Sequence, residues 1–310
     1  MTPAFLFPGQ GAQRPGMLHQ LPHDEVVAST VAEVTSVLGE DILKLDTAEA
    51  QVSTVVTQLG LLTAGVATAR YLQARGIEPA VVLGMSVGAF AAAVVADALS
   101  LRDAVLLVRD RAERMQSLFP EGYGMAAILG LSEAQVQQIT EAVYSESAPV
   151  FVTNINAAKQ IVTAGAREGL SQLVERAKAM GAQRAELLNV SVPSHCRLLE
   201  PVASALRERF QAVSVNRPKY TYISNVQARA TYTAEGVESD LVNNIAHGVR
   251  WSDATEVVLE LGCDVFLEMQ PGHALSDLVH QAYPGVEAIP VTEAKMSRIL
   301  KILEQAPGRS

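Results

Sequence analysis

The segment Gly84-Met85-Ser86-Val87-Gly88 has the plainest chemical content in this sequence. It matches Gly-x-Ser-x-Gly, in which a sharp turn projects the serine hydroxyl and leaves the next backbone N–H free to meet an oxyanion. The same pattern also suits an ordinary tight turn or a phosphate-binding helix start. Here the apolar run Ala80-Val-Val-Leu83 precedes it and the Ala-rich stretch from Ala89 to Val95 follows, predicting a strand, a turn and a buried helix, which favours a nucleophile. A serine nucleophile needs a base. Of the six histidines, His19 and His23 lie in a polar early segment and His280 sits near the end of a predicted helix. His195 follows the helix-start signature Val192-Pro193-Ser194 and is the leading base, with His247 and His273 as alternatives. For each of them a hydrogen-bonded structural role is the competing assignment. Gln10, between Gly9 and Gly11, stands either in a plain connection or in a loop whose N–H is a second oxyanion donor.

Arg111 falls inside the apolar stripe Ala104, Leu107, Val108, Ala112 and Met115 of a helix predicted from Leu101 to Gln116. Ser100-x-x-Asp103 has the form of a capping box at its start. A core-facing arginine needs an anion, either a neighbouring carboxylate for which it is a strut or a substrate carboxylate held by its planar fork.

The elements that must position these residues follow from hydrophobic periodicity. Ala4-Phe-Leu-Phe7 reads as a buried strand stopped by Pro8-Gly9, and Thr57 to Arg75 as a helix ended by Gly76. Between Met125 and Val190 the pattern becomes strand (125–129), helix (132–143), strand (150–153), strand (160–163), helix (168–180) and strand (185–188). That β-α-β-β-α-β order is ferredoxin-like. Residues 125–190 are therefore expected to form a small domain inserted into a larger α/β domain made of 1–124 and 191–310. After the insert, Cys196 to Phe210 reads as a helix, Tyr220–Ile223, Val265–Glu268 and Ala288–Val291 as strands, and Glu293 to Gln305 as a closing helix. Strands alternating with helices predict a mostly parallel sheet.

Composition narrows the function classes. With 310 residues, 49% hydrophobic and 18% charged, the chain can bury a large core. No apolar run approaches the roughly 20 residues of a membrane span, and the opening Met1-Thr-Pro-Ala-Phe5 has no signal-peptide pattern. Two cysteines, Cys196 and Cys263, supply neither a disulfide framework nor a metal cluster and fit a reducing cytoplasm. A net charge of −9 argues against a nucleic-acid binder.

Phe7-Pro-Gly-Gln-Gly-Ala-Gln13, the serine motif at Ser86, the Arg111 helix and Val190-Ser-Val-Pro-Ser-His195 occur in that order, with Asn154-Ile-Asn156 and Glu268-x-x-Pro271-Gly272 among them. Together they resemble the malonyl-CoA:acyl-carrier-protein transacylase family over nearly the whole chain. The resemblance implies an α/β-hydrolase-like domain with a ferredoxin-like insert, Ser86 as nucleophile and His195 as base. It also implies Gln10 and Val87 as oxyanion donors, Arg111 as the carboxylate binder, Met85 and Asn156 as further substrate contacts, and the backbone carbonyl of Asn244 orienting His195. The implied partners are malonyl-CoA and an acyl carrier protein with a phosphopantetheine-type or CoA-derived arm, with no metal or cofactor. The family usually has Gly-His-Ser-x-Gly-Glu, whereas this chain carries Met85 and Ala89 at those positions. Gly84-Met-Ser-Val-Gly-Ala-Phe90 looks most like the transacylase subunits of bacterial malonate decarboxylase, which implies other subunits of that complex as partners. The alternatives are a fatty-acid or polyketide malonyltransferase, a serine thioesterase using the same Ser86 and His195, and a non-catalytic docking subunit.

Overall fold

Short apolar runs become strands wherever glycine, proline or charge stops them, and longer periodic stretches become helices. The computed structural model describes residues 1–119 and 121–304. In chain order the elements are β1 (Pro3–Phe7), α1 (Glu25–Leu38), α2 (Thr54–Gln73), β2 (Val81–Gly84), α3 (Gly88–Val95), α4 (Leu101–Leu118), β3 (Tyr123–Leu129) and α5 (Glu133–Val143). These are followed by β4 (Val150–Ala157), β5 (Gln160–Ala166), α6 (Arg167–Ala179), β6 (Arg184–Leu187), α7 (Glu200–Phe210), β7 (Thr221–Ile223) and β8 (Ala230–Thr231). The last are α8 (Ala234–Asn243), α9 (Trp251–Glu260), β9 (Val265–Glu268), α10 (Ala274–Ala282), β10 (Glu287–Pro290) and α11 (Met296–Glu304). Gln305, the predicted end of the closing helix, lies outside the described residues.

The larger sheet has the order β10-β9-β1-β2-β7-β8, parallel throughout except for β8. Its central strands are buried on both faces, as a parallel sheet covered by helices requires. Phe5, Phe7, Val82 and Tyr222 join the core under α2, α3, α4, α7 and α8. Ala4, Leu6, Val81, Leu83 and Ile223 join a second core with α9 and α10. The smaller sheet is antiparallel with the order β4-β5-β3-β6, and α5 and α6 pack into its own core. This is the ferredoxin-like arrangement expected, with β3 beginning at Tyr123, just upstream of residue 125. It is stitched to the larger unit where Ile155 N–H donates to Val249 O (2.9 Å) and Val249 N–H to Thr153 O (2.8 Å).

Two local readings change. The helix expected from Cys196 begins with a 3-10 turn at Arg197–Leu199, and α7 starts only at Glu200 with Pro201 in its first turn, where the missing N–H costs nothing. Helices α1, α8 and α9 were not predicted; α1 nevertheless has a legible start, Asp24 capping Val26 N–H, and a legible end at left-handed Gly39. No helix among the described residues is long and apolar enough to cross a membrane.

Candidate active site

Parallel neighbours send their following loops to the same edge of a sheet, and ligands of such folds bind at that carboxyl edge where the strand order reverses. From β1 the chain builds the sheet outward through β2, β7 and β8, then returns to add β9 and β10 on the other side of β1, so the strand order reverses there. The loop after β1 carries Gln10 and the loop after β2 carries Ser86. Both line one cleft with Gln58, Met85, Val87, Arg111, Met115, Met125, Asn154 and His195.

Ser86 adopts φ 55, a left-handed backbone rare for a non-glycine residue, which is the strained turn of a nucleophile elbow. The flanking glycines are demanded by close approach. A Cβ on Gly84 would lie 2.2 Å from the Gly88 carbonyl carbon, and one on Gly88 would lie 2.2 Å from Phe7 O. Helix α3 begins immediately, and all eight of its residues are buried, as its alanines allow. Ser86 N–H donates to Asn225 Oδ1 (2.9 Å), Gly88 N–H to Met85 O (2.9 Å) and Ala89 N–H to Ser86 O (3.0 Å). Among the described residues, Val87 N–H at this helix start has no acceptor, and neither has Gln10 N–H. The Gln10 side chain is tied back instead, with Thr54 Oγ1–H donating to Gln10 Oε1 (3.0 Å). Two free N–H groups therefore border the nucleophile, as an oxyanion site requires.

His195 is buried, while His19, His23, His247, His273 and His280 are all exposed. The ring of His247 meets Asn243 O (3.0 Å), and that of His273 pairs with Asp277 (2.6 Å) at the surface. Neither contributes to the cleft lining, whereas His195 does, which leaves it as the candidate base. His195 has φ 65, and its N–H donates to Ile245 O (2.8 Å). Its Nδ1 is hydrogen bonded to the backbone carbonyl of Asn244. A carbonyl can only accept, so Nδ1 carries the proton and Nε2 is left as the basic atom. Burial first, and the Arg111 charge second, hold the imidazole down to about 4 against backbone hydrogen bonds that raise it. It is therefore neutral and able to take a proton at pH 7.

Arg111 lies where the stripe of α4 predicted, 1% exposed. Ser100 caps that helix, its Oγ accepting from Asp103 N–H (3.0 Å). The guanidinium donates through Nη1 to Gln58 Oε1 and through Nη2 to Ser86 Oγ (3.3 Å), while Nε has no partner. Among the described residues no carboxylate pairs with it, and burial pushes it from 12.5 down to about 9. Burying a cation without an anion is costly, so this guanidinium, beside Ser86, is a candidate site for an anionic ligand.

Met85 lines the cleft, half-buried. Asn244 contributes its carbonyl, with its side-chain amide buried among no partners. Asn156 does not line the cleft; Asn154 does, with an unpartnered Oδ1. Irregular pairing of β4 with β5 after Val152 and Ile155 decides which of the two faces the cleft. Gln58, Asn225 and Asn154 were not singled out from sequence, although Asn154 belonged to a motif that was.

The chain is similar over nearly its whole length to known proteins. The acyl transferase domain family model matches residues 4–300. The malonyl CoA-acyl carrier protein transacylase of Escherichia coli K12 is 36% identical over 296 residues, covering 94% of this chain and 96% of that protein. The Bacillus subtilis transacylase is 34% identical over 295 residues, covering 94% and 93%. Among solved structures, the Coxiella burnetii transacylase superimposes with a TM-score of 0.93 at 34% identity, covering 98% of both chains. A malonyl-transacylase in complex with its type II polyketide synthase acyl-carrier protein does so with 0.92 at 33% identity, covering 99% of this chain and 100% of that one. Matched by the family model over residues 4–300 and by these transacylases over 94% or more of its length, the chain belongs to the acyl transferase family, among the malonyl-CoA:acyl-carrier-protein transacylases.

Proposed function

We propose that this acyltransferase moves a malonyl group from malonyl-CoA through a malonyl-Ser86 ester to the thiol of an acyl carrier protein. The observation that carries the reading is the buried Arg111 guanidinium, without a carboxylate partner among the described residues and 3.3 Å from Ser86 Oγ. The free carboxylate of a malonyl group supplies the missing anion while its thioester carbonyl meets the nucleophile. As Ser86 Oγ attacks, its proton passes to His195 Nε2, and the tetrahedral oxyanion accepts from Gln10 and Val87 N–H. The C–S bond then breaks and the CoA sulfur leaves with the proton from Nε2. In the second half, His195 takes the proton of the carrier thiol, whose sulfur attacks the ester, and Ser86 Oγ recovers the proton. Gln58 and Thr54, in line with Gln10, hold the oxyanion loop and the Arg111 fork to the same helix α2.

A thioesterase of the serine-histidine-acid type is disfavoured by the acceptor at Nδ1, a carbonyl in place of a carboxylate. The division into a catalytic unit of 1–124 and 191–310 and a small unit of 125–190 is supported by the separate core of the second sheet. Two free, buried cysteines support a reducing, cytoplasmic setting. For the acceptor we favour the carrier subunit of malonate decarboxylase, on the Gly-Met-Ser-Val-Gly-Ala-Phe segment. The second reading, a fatty-acid or polyketide carrier, is favoured by the printed names of the relatives.

Intact-protein mass after incubation with malonyl-CoA tests the chemistry. A malonyl adduct is expected on wild type and not on Ser86→Ala, and carrier thiol should discharge it. An adduct of equal yield on Ser86→Ala would overturn the nucleophile assignment. Discharge rates to carriers with a phosphopantetheine arm and with a CoA-derived arm separate the two acceptors.

A further inference from the structure

Asn225 and Asp240 lie behind the elbow, outside the cleft lining, and neither has a part in the chemistry above. Asn225 follows β7, the strand beside β2, so the fold brings it to the same carboxyl edge as Ser86. Its Nδ2–H donates to Gly84 O (2.7 Å) while its Oδ1 accepts from Ser86 N–H (2.9 Å), so one side-chain amide closes both sides of the turn. A non-glycine residue at φ 55 persists only where its surroundings over-determine it.

Asn225 is in turn held by Asp240. This carboxylate is 3% exposed and is met by neutral donors alone among the described residues. These are Tyr222 Oη–H (2.8 Å), Ser224 Oγ–H (2.6 Å), Val226 N–H (3.2 Å) and, more distantly, Asn225 Nδ2–H (3.5 Å). Asp240 belongs to α8, whose next turn holds the base. Asn244 N–H donates to Asp240 O (2.9 Å), the Asn244 carbonyl takes the Nδ1 proton of His195, and Ile245 O takes the His195 N–H (2.8 Å).

We propose that Asp240 and Asn225 are positioning residues that fix the nucleophile elbow to α8, so that one helix sets the separation of Ser86 Oγ from His195 Nε2. The proposal rests on the assignment of Ser86 and His195 as nucleophile and base. It explains why a carboxylate is buried at this position. Four donors converge on it, two oxygens with about four lone pairs can accept them all, and an amide would turn its own N–H groups toward two of them. Arg111, on α4, meets this network only at Ser86 Oγ (3.3 Å) and makes no hydrogen bond to Asn225 or Asp240, so the carboxylate site proposed there does not depend on the clamp directly.

Rapid-quench acylation by malonyl-CoA, read by intact mass, tests this in Asp240→Asn and Asn225→Ala. The expected result is a full burst amplitude, a rate constant lowered at least about tenfold, and a half-saturating malonyl-CoA concentration within about threefold of wild type. A network that only supports folding would lower the amplitude and leave the rate constant of the surviving molecules unchanged, and that result overturns the proposal. If Asp240→Asn yields no folded protein, Asn225→Ala decides alone, because it leaves the carboxylate three donors. Loss of folded Asn225→Ala, together with a wild-type rate constant in Tyr222→Phe, would assign the network to folding and also overturn the proposal. Ser86→Ala, run alongside, keeps the two ideas apart. An adduct there removes the nucleophile itself, whereas wild-type rate constants in the clamp variants remove only the clamp.

Discussion

Replacing Arg111 with alanine removes, among the described residues, the one buried charge within hydrogen-bond reach of Ser86 Oγ. The fall of its guanidinium from 12.5 to about 9 on burial corresponds to an uncompensated desolvation on the order of 5 kcal/mol, which Gln58 relieves only in part. A malonyl carboxylate would neutralise that charge, and truncating one partner of such a buried pair costs about 2–5 kcal/mol. The specificity constant kcat/KM for malonyl-CoA should therefore fall between about thirtyfold and several thousandfold. Acetyl-CoA has no carboxylate, and its transfer should fall far less than that of malonyl-CoA, or improve. Arg111 also donates to Ser86 Oγ, but loss of that contact affects both donors alike and cancels in the ratio of the two constants. The assay is that ratio, measured in wild type and in Arg111→Ala. Stability supplies a second reading, since removing an unpaired buried cation should leave the unfolding midpoint of the free protein unchanged or raised. Breaking a strut paired to an acid would instead cost about 3–5 kcal/mol. An equal fall for both acyl donors, with a lowered midpoint, would refute the carboxylate-binding role.

His195, held down to about 4 from 6.5, is the basis of a pH prediction. The acid limb of kcat/KM should lie below about pH 5 rather than near 6.5, and a limb near 6.5 would contradict the buried neutral imidazole. Between those two values the unfolded chain binds the proton and the folded one does not, so stability falls as pH drops from 6.5 toward 4. That loss is on the order of 3 kcal/mol, is absent in His195→Gln, and is read by denaturant titration across the window. Met85 lines the cleft without making a side-chain hydrogen bond among the described residues. Met85→His should alter acyl or carrier preference while changing the rate of Ser86 acylation by less than about tenfold, and equal losses with every donor and carrier would point to a misfolded elbow. Gly88→Ala places a Cβ 2.2 Å from Phe7 O, where only backbone can give way, so it should destabilise the protein by at least about 3 kcal/mol and abolish the malonyl adduct. A wild-type melting curve for Gly88→Ala would refute the close approach of β1 to the elbow.

What the sequence determined by itself is what short-range interactions decide. The Ser100 cap of α4 and the left-handed Gly76 after α2 act within a few residues of their own positions, so they are legible in one dimension; the glycine spacing of the elbow is legible as a motif, although it is Phe7 O on distant β1 that demands Gly88. The burial of Arg111 was readable too, because helical periodicity put it in an apolar stripe. The stripe alone left its anion open, and only the assembled fold showed that no carboxylate among the described residues approaches it. The choice of His195 over His247 and His273 likewise required burial and a carbonyl acceptor that lies 49 positions away. Asn225 reaches Ser86 across 139 positions and Gln58 reaches Arg111 across 53, with no period or cap to announce either. Asn154 rather than Asn156 lines the cleft because the pairing of β4 slips, and alternation in a strand cannot reveal a register shift that its partner imposes. Local chemistry thus named the candidate groups, while the meeting of β1, β2, β7 and α8 decided which of them share one cleft and which distant side chains hold them in place.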